Sequence, residues 1–228
     1  VGGTGKTPLI IAMVKWLQRH GYKPGVISRG YGGKAPAYPY LLTAQSTATE
    51  AGDEPLAIFQ QTGAFVVVGS DRIASGKVLE DDGCDILLSD DGLQHYRLGR
   101  DIEIAVVDGI RGLGNGWRLP VGPLREPASR LKTVDWVVVN SPAENFALPA
   151  ANGEAFFYVP MQIKPGELIQ LKTGKIISRT ELPDDINAIA GIGNPERFAN
   201  TLRELGFVPQ LHAFPDHFAF AADNLDFK

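Results

Sequence analysis

The sequence has 228 residues, 44% of them apolar and 21% charged, and a chain of this size buries roughly 70% of the surface it exposes when extended. Its formal charge of −4, from 22 Lys and Arg against 26 Asp and Glu, comes without a basic run, which excludes a general nucleic-acid binder, a disordered chain and a coiled coil. A single cysteine, Cys84, excludes an internal disulfide and fits a reducing, cytosolic compartment, and no apolar run reaches the length of a membrane span.

Gly2-Gly3-Thr4-Gly5-Lys6-Thr7 leads directly into an apolar stripe at Leu9, Ile10, Met13, Val14, Trp16 and Leu17, closed by Gly21. That period predicts a helix from Thr7 to His20, with Pro8 in the first turn where a missing N–H costs nothing. Strand-length apolar runs follow at 25–28, 40–42, 65–68, 86–88, 102–107 and 136–139, with helical stretches at 54–61 and 71–80 between them. Runs that are continuous rather than alternating belong to strands covered on both faces. Residues 141–153 are rich in Pro, Ala and Asn, and 156–159 and 168–171 flank Lys164-Pro165-Gly166-Glu167 as a hairpin-like linker. A strand at 186–192, a helix at 195–205 stopped by Gly206 and an extended piece at 208–214 begin a second unit.

These elements predict an α/β fold of P-loop NTPase type: a mainly parallel sheet with helices on both faces, plus a smaller C-terminal α/β domain joined by a β-hairpin linker. The expected boundaries are 1–153 for the nucleotide-binding domain, 154–182 for the linker and 183–228 for the start of the second domain. Because Val1 falls inside the glycine motif, a strand feeding that motif is expected upstream.

The glycine motif carries the first chemistry. Gly2, Gly3, Thr4 and Gly5 let backbone N–H groups converge on phosphate oxygens, and a helix N-terminus adds the positive end of its dipole. Lys6 suits the β and γ phosphates, and the Thr7 hydroxyl suits Mg²⁺. A second Mg²⁺ partner is expected at the end of a neighbouring buried strand, where Ile86-Leu87-Leu88-Ser89 leads into Asp90 and Asp91. A turn that merely favours Asp is the alternative. Together the motifs predict an ATP- and Mg²⁺-dependent protein. Four histidines and one cysteine at their spacings make no zinc site.

Further motifs follow in order: Ser28-Arg29-Gly30-Tyr31-Gly32-Gly33, Gly52-Asp53-Glu54-Pro55, Asp71-Arg72, Ser89-Asp90-Asp91-Gly92-Leu93-Gln94-His95, Leu119-Pro120-Val121-Gly122-Pro123-Leu124-Arg125-Glu126-Pro127 and Phe214-Pro215-Asp216-His217. As an ordered set spanning the chain, they resemble the tetraacyldisaccharide 4'-kinase family, the lipid A 4'-kinases of the bacterial inner membrane. The resemblance implies an ATP-dependent transferase of lipid metabolism that phosphorylates the 4'-hydroxyl of tetraacyldisaccharide 1-phosphate during lipid A and lipopolysaccharide synthesis.

The resemblance also assigns roles. It implies Asp53 as general base, paired with His217 from the second domain, and places Gln94 and His95 in the nucleotide region. Local sequence offers a helix N-cap for Asp53 and a packed or surface histidine for His217. Arg72 and Arg125 suit phosphate oxygens and Glu126 suits Mg²⁺, directly or through water; salt-bridge roles are the alternative for the arginines. Arg29 and Tyr31 lie in a glycine-rich turn suited to the sugar or phosphate of the acceptor, or in a plain turn.

Family members extend at both ends, and the resemblance places membrane association in the part that precedes Val1. The expectation is therefore a peripheral enzyme on the cytoplasmic face of the inner membrane, with a glycolipid substrate and no nucleic acid. Trp117, Leu119, Val121 and Leu124 make the long loop amphiphilic, suited to an interface or to packing. Two rivals keep the nucleotide chemistry: a deviant P-loop ATPase switch, and a kinase or ligase of the same class acting on a soluble small molecule.

Overall fold

The computed structural model describes residues 3–142, 146, 148, 157–221, 224 and 227. Within them, Gly3–Ile163 and Lys164–Lys228 form two compact units. The division falls inside the segment expected to be a linker.

The first unit opens with helix α1 (Lys6–Arg19) and continues through strand β1 (Pro24–Ser28), β2 (Tyr40–Leu41), a short helix α2 (Ala48–Ala51), α3 (Asp53–Thr62), β3 (Phe65–Val68), α4 (Arg72–Asp81) and β4 (Ile86–Ser89). These strands make a four-stranded sheet in the order β2-β3-β1-β4. The central pairs are parallel, while β2 lies antiparallel on β3. Successive side chains of a strand point to opposite faces, and both faces are covered here. Val26, Val66 and Val68 pack with Ile10 and Val14 of α1 and Ile58 of α3. Ile27 and Val67 pack on the other side with Leu79 of α4. That arrangement explains why the strands read as unbroken apolar runs.

A second sheet in the same unit joins β5 (Ile104–Asp108), β6 (Trp136–Asn140) and β7 (Val159–Met161), all parallel. The third strand corrects the expected linker: Val159 pairs with Val138 of β6 instead of facing residues 168–171 across a hairpin. Residues 143–145, 147 and 149–156, which include most of the Pro/Ala/Asn-rich segment and Phe156, lie outside the described residues, as does Gly2.

The second unit does contain a hairpin, one turn further along. Strands β8 (Leu168–Gln170) and β9 (Lys175–Ile177) are antiparallel, and the turn closes through the Thr173 and Gly174 N–H groups on the Gln170 carbonyl. Beyond it, β10 (Asp185–Ala190), α5 (Pro195–Glu204) and β11 (Val208–Ala213) form a parallel strand–helix–strand unit around Ala188, Leu202 and Phe207. Arg179 secures its edge, donating to the carbonyls of Leu182 and Leu205 while its guanidinium lies 3.8 Å over the Phe207 ring.

Candidate nucleotide and phosphate-transfer site

Ends of parallel strands are where α/β proteins build sites, and here four of the first unit's parallel strands finish at a buried polar residue. Ser28 ends β1, Asp90 follows β4, Asp108 ends β5 and Asn140 ends β6; all four are buried. Asp108 accepts from the backbone N–H groups of Ile110 and Arg111, which fixes the start of the long loop.

The glycine motif runs past this rim. Gly5 precedes α1 in the left-handed region, with φ 99°, and no side chain caps the helix. A Cβ on Gly5 would stand 2.8 Å from Nδ2 of Asn140 and 2.9 Å from Cε of Met161. Asn140 also donates to the Thr4 carbonyl at 3.1 Å. The buried end of β6 therefore anchors the loop, a role the sequence reading missed by stopping at Val139. An asparagine closing a run of three valines was the available signal.

Lys6 reaches Oδ1 of Asp91 at 3.3 Å, and Arg125 reaches Oδ2 of the same carboxylate at 3.4 Å. Arg125 also donates to Oε1 of Gln94 at 3.5 Å. Four expected site residues thus meet at one point, around an Asp91 that itself adopts φ 51°. Partial burial alone would raise the Asp91 carboxyl, but Lys6 and Arg125 outweigh it and hold the group below the usual carboxylate range.

Asp90 behaves in the opposite way. It is 4% exposed, and burial, then the charges of Asp91 and Glu54, push its carboxyl up to about 6 against the pull of Lys6 and Arg72. Its Oδ1 has no hydrogen-bond partner in the protein, and neither do the buried hydroxyls of Thr4 in the glycine motif and Ser89 at the end of β4. Buried polar atoms are nearly always satisfied, so this set marks a place for a ligand that the chain does not supply. Glu54, quoted in the sequence only as a neighbour of Asp53 at a helix start, belongs to the site through its effect on Asp90.

Arg72 is 3% exposed and donates to the backbone carbonyl of Asp90 at 2.9 Å, while its Nε and Nη1 are unpartnered. Burial lowers its pKa, and Asp90 and Asp91 pull it back. The surface salt bridge offered as the alternative for Arg72 does not form. His95, beside this group, is held below the usual histidine value by burial and by the charges of Arg72, Arg29 and Arg100, which keeps its ring neutral at pH 7.

The residues expected on the acceptor side gather at the start of α3. Asp53 is the first residue of that helix and is exposed; Gly52, with φ 86°, takes the N-cap position that local sequence offered to Asp53. A side chain on Gly52 would meet the Tyr31 carbonyl at 2.7 Å, and one on Gly33 would meet the Glu50 carbonyl at 2.5 Å. The turn bearing Arg29 and Tyr31, both exposed, is thereby laid against the start of α3. His217 belongs to the second unit, where it adopts φ 58° and its backbone N–H donates to the Gly191 carbonyl.

Glu126 departs from its expected place. Its carboxylate accepts from the Tyr96 hydroxyl and pairs with Arg130 at 3.3 Å, and Arg130 also forks onto both oxygens of Glu103. Arg130 stands four residues after Glu126, at the spacing of a helical ion pair, and captures it. Among the described residues no three His, Cys, Asp or Glu side chains gather closely enough to hold a metal ion unaided. Mg²⁺ in phosphotransferases needs no such cage, since it takes one or two carboxylates plus phosphate oxygens, and the open oxygen of Asp90 with the hydroxyl of Thr7 fits that demand.

The profile of tetraacyldisaccharide-1-P 4'-kinases matches residues 1–228. Among solved structures, LpxK from Aquifex aeolicus in complex with ATP is similar at 25% identity and a TM-score of 0.72, covering 100% of this chain and 71% of that one. The match sets aside the ATPase switch and the kinase of soluble small molecules. The chain belongs to the tetraacyldisaccharide-1-phosphate 4'-kinase family, enzymes that use ATP to phosphorylate the lipid A disaccharide precursor.

Proposed function

We propose that the strand-end cluster of the first unit holds Mg-ATP and that the start of α3 presents the acceptor's 4'-hydroxyl. The observation that supports this most directly is the convergence of Lys6, Arg125 and Gln94 on Asp91, beside a buried Asp90 whose Oδ1 lacks a partner. Backbone N–H groups of Gly3, Thr4 and Gly5 suit the phosphates, Gly2 extending the same cradle by sequence. Thr7 and Asp90 would hold Mg²⁺, which supplies charge neutralisation at the phosphoryl oxygens. Lys6 and Arg125 are shared with Asp91 and are placed to transfer their charge to phosphate, and Arg72 has two buried N–H groups left to offer. Glu126 fits better as the brace between Tyr96 and Arg130 than as a metal ligand.

Asp53, exposed at the head of α3 and next to the Arg29–Tyr31 turn, is the proposed base for the hydroxyl. His217 keeps its part in the transfer step on the resemblance alone. A peripheral position at the cytoplasmic face of the inner membrane is what the resemblance implies, and the acyl chains of the substrate support a membrane contact; no helix among the described residues is long and apolar enough to cross a membrane.

Asp53→Asn tests the assignment. The kcat for transfer to detergent-dispersed tetraacyldisaccharide 1-phosphate should fall by about a hundredfold or more, with ATP affinity nearly unchanged, because a base acts mainly in the transition state. Loss of ATP affinity in step with kcat would make Asp53 structural or metal-linked.

A further inference from the structure

The loop between β5 and the short 3-10 helix at Ala128–Lys132 exposes more apolar surface than its neighbours. Ile110 is 74% exposed, Trp117 66%, Leu119 58% and Val121 70%. This exposure is built into an ordered turn. The Leu119 N–H donates to the Leu124 carbonyl and the Leu124 N–H to the Trp117 carbonyl. The Asn115 side chain bridges the Trp117 N–H and the Val121 carbonyl, and a Cβ on Gly122 would stand 2.2 Å from Oδ1 of that asparagine. The loop thus spends its polar groups on itself and turns its apolar side chains outward, where a water-facing loop would carry polar ones.

Charge separates the possible occupants. From Gly109 to Arg125 the chain carries three arginines and no carboxylate, within a protein of net charge −4; Arg111 and Arg118 are exposed among the apolar residues. Arginine beside tryptophan and aliphatic side chains is the composition that seats on an anionic bilayer, with tryptophan at the headgroup level and cations facing lipid phosphates. The loop is also continuous with Arg125, which reaches Asp91 in the site.

We propose that residues 110–121 form a bilayer-docking element that seats the first unit on an anionic phospholipid surface. It gives the enzyme a membrane contact of its own beside the phosphate site, so that an acyl-anchored acceptor meets the site at the headgroup plane. The need for such a contact rests on the proposed function; the contact itself does not.

The full-length protein should be mixed with vesicles of phosphatidylglycerol and phosphatidylethanolamine carrying brominated acyl chains. Trp117 fluorescence should be quenched, with the quenched component absent in Trp117→Phe and weak on phosphatidylcholine vesicles. Arg118→Gln should weaken vesicle binding about fivefold, and Trp117→Ser/Leu119→Ser/Val121→Ser about tenfold or more, with melting temperature and transfer to detergent-dispersed glycolipid unchanged. Absence of Trp117-dependent quenching overturns the proposal. So does a parallel loss of transfer in detergent, which would assign the loop to the acyl chains of the substrate. A wild-type protein that is quenched but transfers no phosphate would sink the functional reading and leave the docking element standing.

Discussion

Helices α1 and α5 begin in opposite ways. In α5, Asn194 accepts from the Arg197 N–H, Pro195 fills a first-turn position that needs no donor, and Glu196 adds a negative charge to the positive end of the dipole. In α1, the residue before the helix is a left-handed glycine, no side chain caps the end, and the first turn contains no acid. A side-chain cap stabilises a helix by about 1 kcal/mol, so α1 forgoes stability that α5 keeps. The N–H groups left open in α1 are those an anion can take. A helix start that closes on itself is structure; one held open beside buried, unpartnered oxygens is a binding site.

The strongest way to break this comparison is to close the open end. Gly5→Ala puts a methyl group against Nδ2 of Asn140 and Cε of Met161 at a φ that L residues rarely adopt. Mg-ATP affinity by calorimetric titration should fall roughly a hundredfold or more, equivalent to about 3 kcal/mol. An unchanged affinity would show that the loop does not bind phosphate in this conformation.

Asp90 gives a smaller and more discriminating effect. Its carboxyl is raised from 3.8 to about 6 in the folded protein, so between these values the folded state binds more protons than the unfolded one, and the stability contribution of Asp90 falls as pH rises through that window. Well above pH 6 its ionised form destabilises the fold by on the order of 3 kcal/mol. Asp90→Asn, which mimics the protonated acid, should therefore raise the melting temperature at pH 7.5, with the gain roughly halved at pH 5 and lost below the unfolded value of 3.8. It should also lose Mg²⁺-dependent transfer. A gain that is equal at both pH values would show that Asp90 is not an ionised, destabilising group awaiting a cation.

What was legible in the sequence tracks how local the cause was. The apolar runs of β1, β3 and β6 were readable because strands covered on both faces leave few polar positions to confuse the period. The glycine motif was readable because few other contexts need Gly5 immediately before Lys6 and Thr7. Strand β7 was not: Val159-Pro160-Met161 is three residues long and contains a proline, so only its neighbour β6 defines it. The hairpin was displaced because Lys164-Pro165-Gly166-Glu167 looks more like a turn than Gln170 to Gly174, where the turn lies. Within the site, residues read as charges on phosphate had their partners chosen by tertiary packing. Arg72 was drawn to a backbone carbonyl, and Glu126 was drawn to Tyr96 and Arg130. Asn140 carries no motif, and Glu54 lies in one without a role assigned to it; each matters through the strand end or helix start that brings it to the loop and to Asp90.

The smallest prediction sharpens the comparison from the other helix. Asn194→Ala removes the acceptor for the Arg197 N–H and should destabilise the second unit by about 1 kcal/mol, a shift of a few degrees in its unfolding transition. Mg-ATP affinity should be unchanged, because the α5 cap serves only its own helix. If Asn194→Ala instead weakened Mg-ATP binding as Gly5→Ala does, the start of α5 would belong to the nucleotide site, and the distinction between a closed helix end and an open one would fail. A loss of stability without a ligand effect at α5, set against a large ligand effect at α1, is the pattern expected when one fold uses the same backbone feature for two purposes.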